Sequence, residues 1–146
     1  MGKKTLVLDL DETLIHTSPY SHIPHDFSLD TDFRYKQDLK GVGYYVSKRP
    51  GLEKFLKDMS EIYELVVFTA GTQDYADAIL DIIDESKLIS HRLYRQHCTK
   101  FSVKDLSKIG RDAKNTILLD NRTGCYSLQV DQGLPIASWY DNKSDT

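Results

Sequence analysis

Hydrophobic residues along this chain follow two patterns in turn, and each pattern predicts one kind of element. Continuous apolar runs, typical of strands covered on both faces of a sheet, occur at 5–10, 63–69 and 116–119. Between them, apolar residues recur at helical spacing over 52–62 and 75–83, which predicts two amphipathic helices, the second capped by Thr72. Strands that alternate with helices favour an α/β fold, a Rossmann-like doubly wound parallel sheet with helices on both faces.

Weaker signals complete this core, and one region departs from it. The weaker signals predict a short strand at 91–95, a brief helix at 104–109 closed by Gly110, and a last strand at 135–137. From about 18 to 46 there is no helical period, and apolar residues alternate instead: Phe27, Leu29, Phe33 and Tyr35. This alternation predicts a small β insertion of hairpin type within a single domain that spans 1–146.

Composition places the chain among ordinary soluble domains and narrows the classes of partner. Of its 146 residues, 40% are hydrophobic and 28% are charged, which is sufficient for a packed core. The net charge of -3 gives no reason to expect direct binding to nucleic acid or to an anionic membrane. No apolar run reaches the roughly 20 residues of a membrane-spanning helix. Cys98 and Cys125 are expected to be reduced thiols, which indicates a protein of the nucleus or cytoplasm. We also expect a monomer.

Polar side chains stand where three of the predicted strands end. They are Asp9 and Asp11 after the first strand, Thr69 after the second, and Asp120 with Asn121 after the third. Ligands of open α/β sheets bind at the carboxyl ends of the strands, so these side chains are expected to share one site. A bare Asp-x-Asp pair carries no information, because another occurs at 30 and 32. The buried strand before the first pair and the threonine behind it make that pair specific.

Two aspartates at this spacing fit the hydrolysis of a phosphoester. Residues two apart on an extended chain project to the same side, so Asp9 can attack phosphorus while Asp11 reaches the leaving oxygen. The first carboxylate would form an aspartyl-phosphate, and the second would protonate the leaving alcohol and then activate water. Such a site gathers negative charge and needs cations. The expected partners are Mg²⁺ on oxygens of Asp9, Asp11 (main chain), Asp120 and Asn121, a fixed positive charge from Lys104, and a phosphoryl-binding hydroxyl from Thr69.

Four short segments resemble the motifs of the haloacid dehalogenase-like phosphatases: DLDET, FTAGT, VKDL and LLDN. Longer segments, among them KRPGLEKFL, VVFTAGTQDYAD and IASWYDNKSD, are similar to the small phosphatases that act on the carboxy-terminal domain of RNA polymerase II, including their nuclear-envelope relatives. The resemblance covers about 4–145. It implies a HAD-like fold and a Mg²⁺-dependent phosphoserine/phosphothreonine protein phosphatase whose partner is a phosphorylated protein.

The resemblance also implies roles for individual residues. By analogy the nucleophile is Asp9, the acid/base is Asp11, the phosphate ligands are Thr69 and Lys104, and Mg²⁺ is held by Asp9, Asp11 and Asn121 with Asp120 beside them. Arg95 falls on a position that lies near the phosphopeptide in the family. The family's fourth motif usually continues Asp-Asn-Ser-Pro, whereas this chain has Arg122 and Thr123, a departure that bears on the geometry of the loop and not on its ligands.

Two other functions remain open on the sequence alone. A small-molecule phosphatase of the same superfamily needs a lid to exclude water, and an insertion of roughly 30 residues is a poor lid; an open site suits a protein chain, for example a Ser-Pro phosphopeptide. A catalytically silent binding module, like the related mitochondrial translocase subunit, would have little reason to keep four charged groups together: Asp9, Asp11, Lys104 and Asp120. Tyr75 and the aromatic residues of the insertion are interpreted first as packing residues and second as substrate contacts.

Overall fold

The computed structural model describes residues 2–36 and 43–145. Within these ranges the strands and α-helices are, in chain order, β1 (Lys4–Leu8), β2 (Ile15–Ser18), β3 (Phe27–Leu29), β4 (Tyr35–Lys36), β5 (Tyr44–Lys48), α1 (Leu52–Ile62), β6 (Tyr63–Phe68), α2 (Gln73–Ile83), β7 (Ile89–Leu93), β8 (Thr116–Asp120) and β9 (Gly133–Pro135). Short 3₁₀ turns occupy much of the chain after β7. The strands predicted at 91–95 and 135–137 therefore exist, but each begins two residues earlier.

A parallel sheet forms the centre of the molecule, in the order β7-β6-β1-β8-β9. Leu8 of β1 pairs with Val67 on one side and Leu119 on the other. All neighbouring strands of this sheet run in the same direction, so β1, β6 and β8 end at one common edge. The Rossmann-like parallel sheet that the sequence predicts is confirmed.

The two faces of the parallel sheet are covered by different kinds of structure. Leu6 and Leu8 share a cluster with the buried sides of both α-helices: Leu52, Leu56, Ala76, Ile79, Leu80 and Ile83. Val7 points to the opposite face, where Leu106 and Tyr126 of the 3₁₀ turns cover it. Both α-helices therefore lie on one face of the sheet, whereas the sequence predicted helices on both faces. The helix predicted at 104–109 is reduced to the 3₁₀ turn Leu106–Lys108. The backbone of Asp105 is extended and its side chain accepts a hydrogen bond from the main-chain N–H of Ser107 at 3.1 Å, so the turn begins only after Asp105.

The insertion forms an antiparallel sheet in the order β2-β5-β3-β4. Its paired strands extend over 15–48, slightly beyond the predicted 18–46, because Ile15 pairs with Lys48. Residues 37–42, which include part of the predicted insertion, lie outside the described residues. The insertion also contributes Ile15, Phe27, Leu29 and Val46 to the cluster that the α-helices share. It therefore packs on the domain core and lies beside the carboxyl ends of the parallel strands.

Two predictions about the whole chain can be compared with the described residues. Cys98 and Cys125 are unpaired thiols, as predicted. Among the helices in these ranges, none is long and apolar enough to cross a membrane.

Candidate active site

Asp9 follows β1 directly, and 6% of the residue is exposed. Its Oδ1 accepts a hydrogen bond from Lys104 Nζ at 2.7 Å, and its Oδ2 accepts one from Thr13 Oγ1 at 2.8 Å. Its main-chain N–H donates to the carbonyl oxygen of Leu119 at 3.0 Å, which continues the pairing of β1 with β8. These bonds hold the Asp9 carboxylate in one orientation at the end of the central strand.

Lys104 is a buried cation that lies between two carboxylates. Its Nζ donates to Asp9 and also, at 2.6 Å, to Oδ2 of the fully buried Asp120. Burial disfavours the charged ammonium, but the two carboxylates outweigh this effect and raise the pKa of Lys104. Burial raises the pKa of Asp9, and the charge of Lys104 opposes that rise. We refer to Asp9, Lys104 and Asp120 as the charged floor, because each of these buried charges has an opposite charge within hydrogen-bonding distance.

Asp120 is held in place by a main-chain donor of the loop that follows β8. Its Oδ1 accepts a hydrogen bond from the main-chain N–H of Arg122 at 2.9 Å. Any non-proline residue supplies that donor, so the presence of Arg122 where the family usually has serine leaves the orientation of Asp120 intact. The Arg122 side chain is exposed and lines the same cleft.

Asp11 lies in the same cleft and is less buried than Asp9. Its Oδ1 accepts a hydrogen bond from Tyr75 Oη at 2.6 Å. Burial raises the pKa of Asp11 to about 6, although the bond from Tyr75 opposes the rise. A carboxyl group with a pKa near neutrality can both give and take a proton, as an acid/base residue must.

Thr69 and Arg95 lie on the next strand ends of the sheet. Thr69 follows β6, and its Oγ1 accepts a hydrogen bond from the main-chain N–H of Gly71 at 3.0 Å. Because this bond uses a lone pair, the hydroxyl hydrogen remains available to donate to a phosphoryl oxygen. Arg95 lies just beyond β7, is exposed, and its Nε donates to the carbonyl oxygen of Ala70 at 2.8 Å. Both side chains line the cleft that contains Asp9 and Asp11.

Asn121 provides the best test of whether the site suits a metal ion. One of the two amide atoms, nitrogen or oxygen, forms a hydrogen bond with Ser138 Oγ at 2.8 Å. The other atom lies 2.8 Å from Asp9 Oδ2 and 3.3 Å from Asp120 Oδ1. With nitrogen toward the carboxylates the amide donates to both, whereas with oxygen toward them the oxygens repel each other unless a cation lies among them. No cluster of three His, Cys, Asp or Glu side chains in the described ranges could hold a metal. A cation here therefore needs amide and main-chain oxygens, which hard ions such as Mg²⁺ accept.

The cleft has a volume of about 520 Å³ and is open to solvent on one side. It is bordered by Arg95 and Arg122 and by three rings, Phe33, Tyr44 and Tyr75, which we call the aromatic wall. The centroid distances within the wall are 5.3 Å, 5.8 Å and 5.9 Å, the range of favourable ring contacts. Tyr35 and Tyr45 of the insertion do not line the cleft.

Sequence reasoning missed several partners of the residues that it predicted. The structure brings Asp9, Asp11, Thr69, Lys104, Arg95, Asp120 and Asn121 to one cleft, as expected. It adds Thr13, Tyr75 and Ser138 as hydrogen-bonding partners of Asp9, Asp11 and Asn121 respectively. Thr13 belongs to the DLDET motif and could have been found there. Tyr75 lies on the apolar face of the predicted helix, so its position indicated only packing. Its hydroxyl could have indicated more, because a buried tyrosine hydroxyl needs a polar partner.

Comparisons with known proteins agree with this geometry. The family model for the NLI interacting factor-like phosphatases matches residues 4–146. A probable C-terminal domain small phosphatase of Dictyostelium discoideum is 43% identical over 99% of this chain and 47% of its own length. Human carboxy-terminal domain RNA polymerase II polypeptide A small phosphatase 1 is 40% identical over 99% of this chain and 55% of its own length.

A solved structure shares the fold. Fcp1, described as an essential RNA polymerase II CTD phosphatase, has a TM-score of 0.75 and 26% identity, over 94% of this chain and 42% of that chain. Phosphatases of this HAD-like group generally use Mg²⁺. The chain spans about half the length of the curated relatives it matches. The matched range and these identities show that the chain belongs to the family of NLI interacting factor-like phosphatases.

Proposed function

We propose that this chain is a Mg²⁺-dependent phosphoserine/phosphothreonine protein phosphatase that works through an aspartyl-phosphate. One observation carries the proposal: the buried Asp9 carboxylate, fixed by Lys104 and Thr13, lies in an open cleft with Asp11 beside it. The family supports the reaction. Relatives named for RNA polymerase II and for the nuclear envelope support a phosphorylated nuclear protein as the substrate, in the nucleus or the adjoining cytoplasm.

The proposed reaction has two steps that share one pair of carboxyl groups. An oxygen of Asp9 attacks the phosphorus, the bond from phosphorus to the serine or threonine oxygen breaks, and protonated Asp11 gives its proton to that oxygen. A water molecule then attacks the phosphorus and loses a proton to Asp11, and the bond to Asp9 breaks. Inorganic phosphate leaves, and both carboxyl groups return to their starting states. Lys104 and Thr69 bind phosphoryl oxygens in both steps.

The residues present fit a magnesium ion. Asp9, the main-chain oxygen of Asp11, and Asn121 would hold it, with Asp120 beside them. When bound, Mg²⁺ supplies positive charge that compensates the phosphoryl oxygens. The need for that charge follows from the charged side chains that line the cleft. The four acidic ones (Asp9, Asp11, Glu12 and Asp120) outnumber the three basic ones (Arg95, Lys104 and Arg122) before a phosphate enters.

The form of the cleft supports a peptide as the substrate. An extended phosphopeptide can lie across an open cleft, whereas a small metabolite would leave much of its surface in water. Aromatic pockets suit proline rings in particular, so the aromatic wall favours Ser-Pro phosphopeptides like those of the RNA polymerase II carboxy-terminal domain. Arg95, which lines the same cleft, would contact the peptide near its phosphate.

The experiment that tests substrate class compares kcat/KM for para-nitrophenyl phosphate, a sugar phosphate, and Ser-Pro phosphopeptides of increasing length. Remote contacts contribute binding energy that can be used in the transition state, so efficiency should rise with the number of flanking residues. A sugar phosphate that outperforms every peptide would instead show a small-molecule phosphatase. Binding of phosphopeptide without any turnover would show a silent binding module.

The metal requirement is tested separately. EDTA should abolish turnover and Mg²⁺ should restore it, whereas Ca²⁺ should not, because Ca²⁺ prefers more ligands at longer distances and would misplace Asp9. Full activity in chelator, or zinc found by elemental analysis of the active protein, would refute this part of the proposal.

A further inference from the structure

Asp11 is the end of a hydrogen-bonded chain that crosses from the insertion to the core. Tyr75 Oη lies 2.6 Å from Asp11 Oδ1 and 2.8 Å from Thr17 Oγ1. Ionised Asp11 can only accept, so the single hydrogen of the Tyr75 hydroxyl is donated to it. The Thr17 hydroxyl must then donate to Tyr75. The chain therefore runs in one direction, from Thr17 through Tyr75 to Asp11.

This arrangement leaves the two oxygens of Asp11 unequal. Oδ1 accepts a hydrogen bond from Tyr75, and the carbonyl oxygen of a carboxylic acid accepts hydrogen bonds better than its hydroxyl oxygen, so a proton on the carboxyl group is carried by Oδ2. We propose that Tyr75, oriented by Thr17, is a positioning residue that fixes the Asp11 side chain and selects Oδ2 as the oxygen that exchanges protons with the substrate. The proposal rests on the phosphatase function proposed above, in which Asp11 protonates the leaving oxygen.

The packing around Tyr75 supports a fixed position for its hydroxyl. The ring projects from α2 toward the insertion, where its centroid is 5.9 Å from that of Phe33 and 5.8 Å from that of Tyr44. Thr17 lies on β2, paired with Val46 of β5, so the first donor of the chain is also part of a regular sheet. The insertion thus contributes to proton transfer as well as to the surface that receives the peptide.

The test uses the dependence of rate on the leaving group. Tyr75→Phe keeps the ring and removes only the hydroxyl. A basic alkoxide needs protonation to leave, whereas para-nitrophenolate leaves without it, so poor positioning of the acid penalises alkyl phosphates selectively. We expect kcat/KM for free phosphoserine and for a phosphoserine peptide to fall by about 10- to 100-fold. For para-nitrophenyl phosphate we expect a fall of less than about threefold, with phenyl phosphate between the two.

Two substitutions of Thr17 and one of Tyr94 separate positioning from structural damage. Thr17→Val removes the donor to Tyr75 and should show the same leaving-group dependence in weaker form, and Thr17→Ser should recover most of that loss. Tyr94→Phe is the matched control, because Tyr94 Oη donates to Asp77 of α2 at 2.6 Å and the residue does not line the cleft. Tyr94→Phe should not change how kcat/KM depends on the leaving group.

Three outcomes would overturn the proposal. The first is an equal loss on all leaving groups in Tyr75→Phe, which indicates a structural role. The second is no loss on any of them. The third is a loss that grows with peptide length and is absent for free phosphoserine, which indicates direct contact of Tyr75 with the peptide. Failure of the underlying function is recognised differently, by turnover that persists in Asp9→Asn.

Discussion

The charged floor and the aromatic wall of the cleft are each held together by different forces. The charged floor consists of buried ions, in which Lys104 Nζ pairs with Asp9 at 2.7 Å and with Asp120 at 2.6 Å. The aromatic wall consists of rings in contact, with one hydroxyl bonded to Asp11. The floor lies at the ends of parallel strands that are distant in sequence, whereas much of the wall comes from a locally paired antiparallel sheet. Changes in the floor should therefore stop turnover of every substrate, and changes in the wall should alter the preference among substrates.

The largest effect is expected at the floor, from Asp9→Asn. An amide cannot form the acyl phosphate, so kcat should fall by at least about 1,000-fold on peptides and on para-nitrophenyl phosphate alike. Steady-state kinetics on both substrates measures this. The control is Asp32→Asn, which changes the second Asp-x-Asp pair at an exposed side chain and should leave kcat within about twofold. Near-normal turnover in Asp9→Asn would show that Asp9 is not the nucleophile.

The next effect concerns stability, in Lys104→Met. Methionine fills similar space but leaves Asp9 and Asp120 buried without a counter-charge, so the free energy of unfolding should fall by about 3–5 kcal/mol. Urea unfolding measures the change, with Lys108→Met at an exposed side chain as the control. The double variant Lys104→Met/Asp120→Asn removes one of the uncompensated charges and should regain part of the loss. A double variant no more stable than Lys104→Met would mean that packing, and not charge, explains the effect.

The same contrast explains what the sequence could predict. A strand covered on both faces must be apolar along its length, so β1, β6 and β8 are visible as runs, and the polar residues that end them mark the floor. The VKDL motif and the need for a cation predict Lys104 as a site residue, and its ammonium lies between the carboxylates of Asp9 and Asp120. These features depend on burial and charge, which residue types reveal directly.

Features of the wall depend instead on how distant segments dock. Tyr75 and Asp11 are 64 residues apart, and Tyr75 and Thr17 are 58 apart, so no local pattern relates them. The helix predicted at 104–109 is wrong for a related reason, because Asp105 is extended and its carboxylate accepts a hydrogen bond from Gln129, 24 residues further along the chain. Residue type indicated that the Tyr75 hydroxyl needed a partner, but only the docked insertion identifies which one.

A smaller effect is expected at the wall, from Phe33→Ala. Loss of one ring contact is worth about 0.5–1.5 kcal/mol, so KM for a Ser-Pro phosphopeptide should rise by roughly 2- to 10-fold. For para-nitrophenyl phosphate, which is too small to span the cleft, KM should change by less than about twofold. Tyr35→Ala is the matched control, since Tyr35 belongs to the same insertion, is 54% exposed and does not line the cleft. Equal changes in KM for both substrates would contradict a role in peptide selection.

The smallest effect is expected on the free energy of unfolding, at the Arg49–Asp145 ion pair between the insertion and the domain core. Arg49, just after β5, donates to Asp145 Oδ2 at 2.7 Å and Oδ1 at 3.1 Å, and to the carbonyl oxygen of Thr13 at 3.1 Å. It therefore connects the insertion, the loop behind Asp9 and the end of the described chain. The hydrogen bond from Arg49 lowers the pKa of Asp145. Because the pair is partly exposed, Asp145→Asn should lower the free energy of unfolding by only about 1 kcal/mol or less at pH 7.

The pH dependence of that difference gives the decisive measurement. Asp145 has a lower pKa in the folded state than in the unfolded state, so its contribution is fully present above the unfolded value, about 3.9. It is lost as pH falls through the folded value. Urea unfolding of the parent and of Asp145→Asn should thus differ at pH 7 and converge at an acid pH below the folded pKa of Asp145. Asp141→Asn, at an exposed side chain in the same segment, is the control and should match the parent at both pH values. A difference that persists unchanged in acid would show that Asp145 stabilises this junction by contacts other than its ion pair with Arg49.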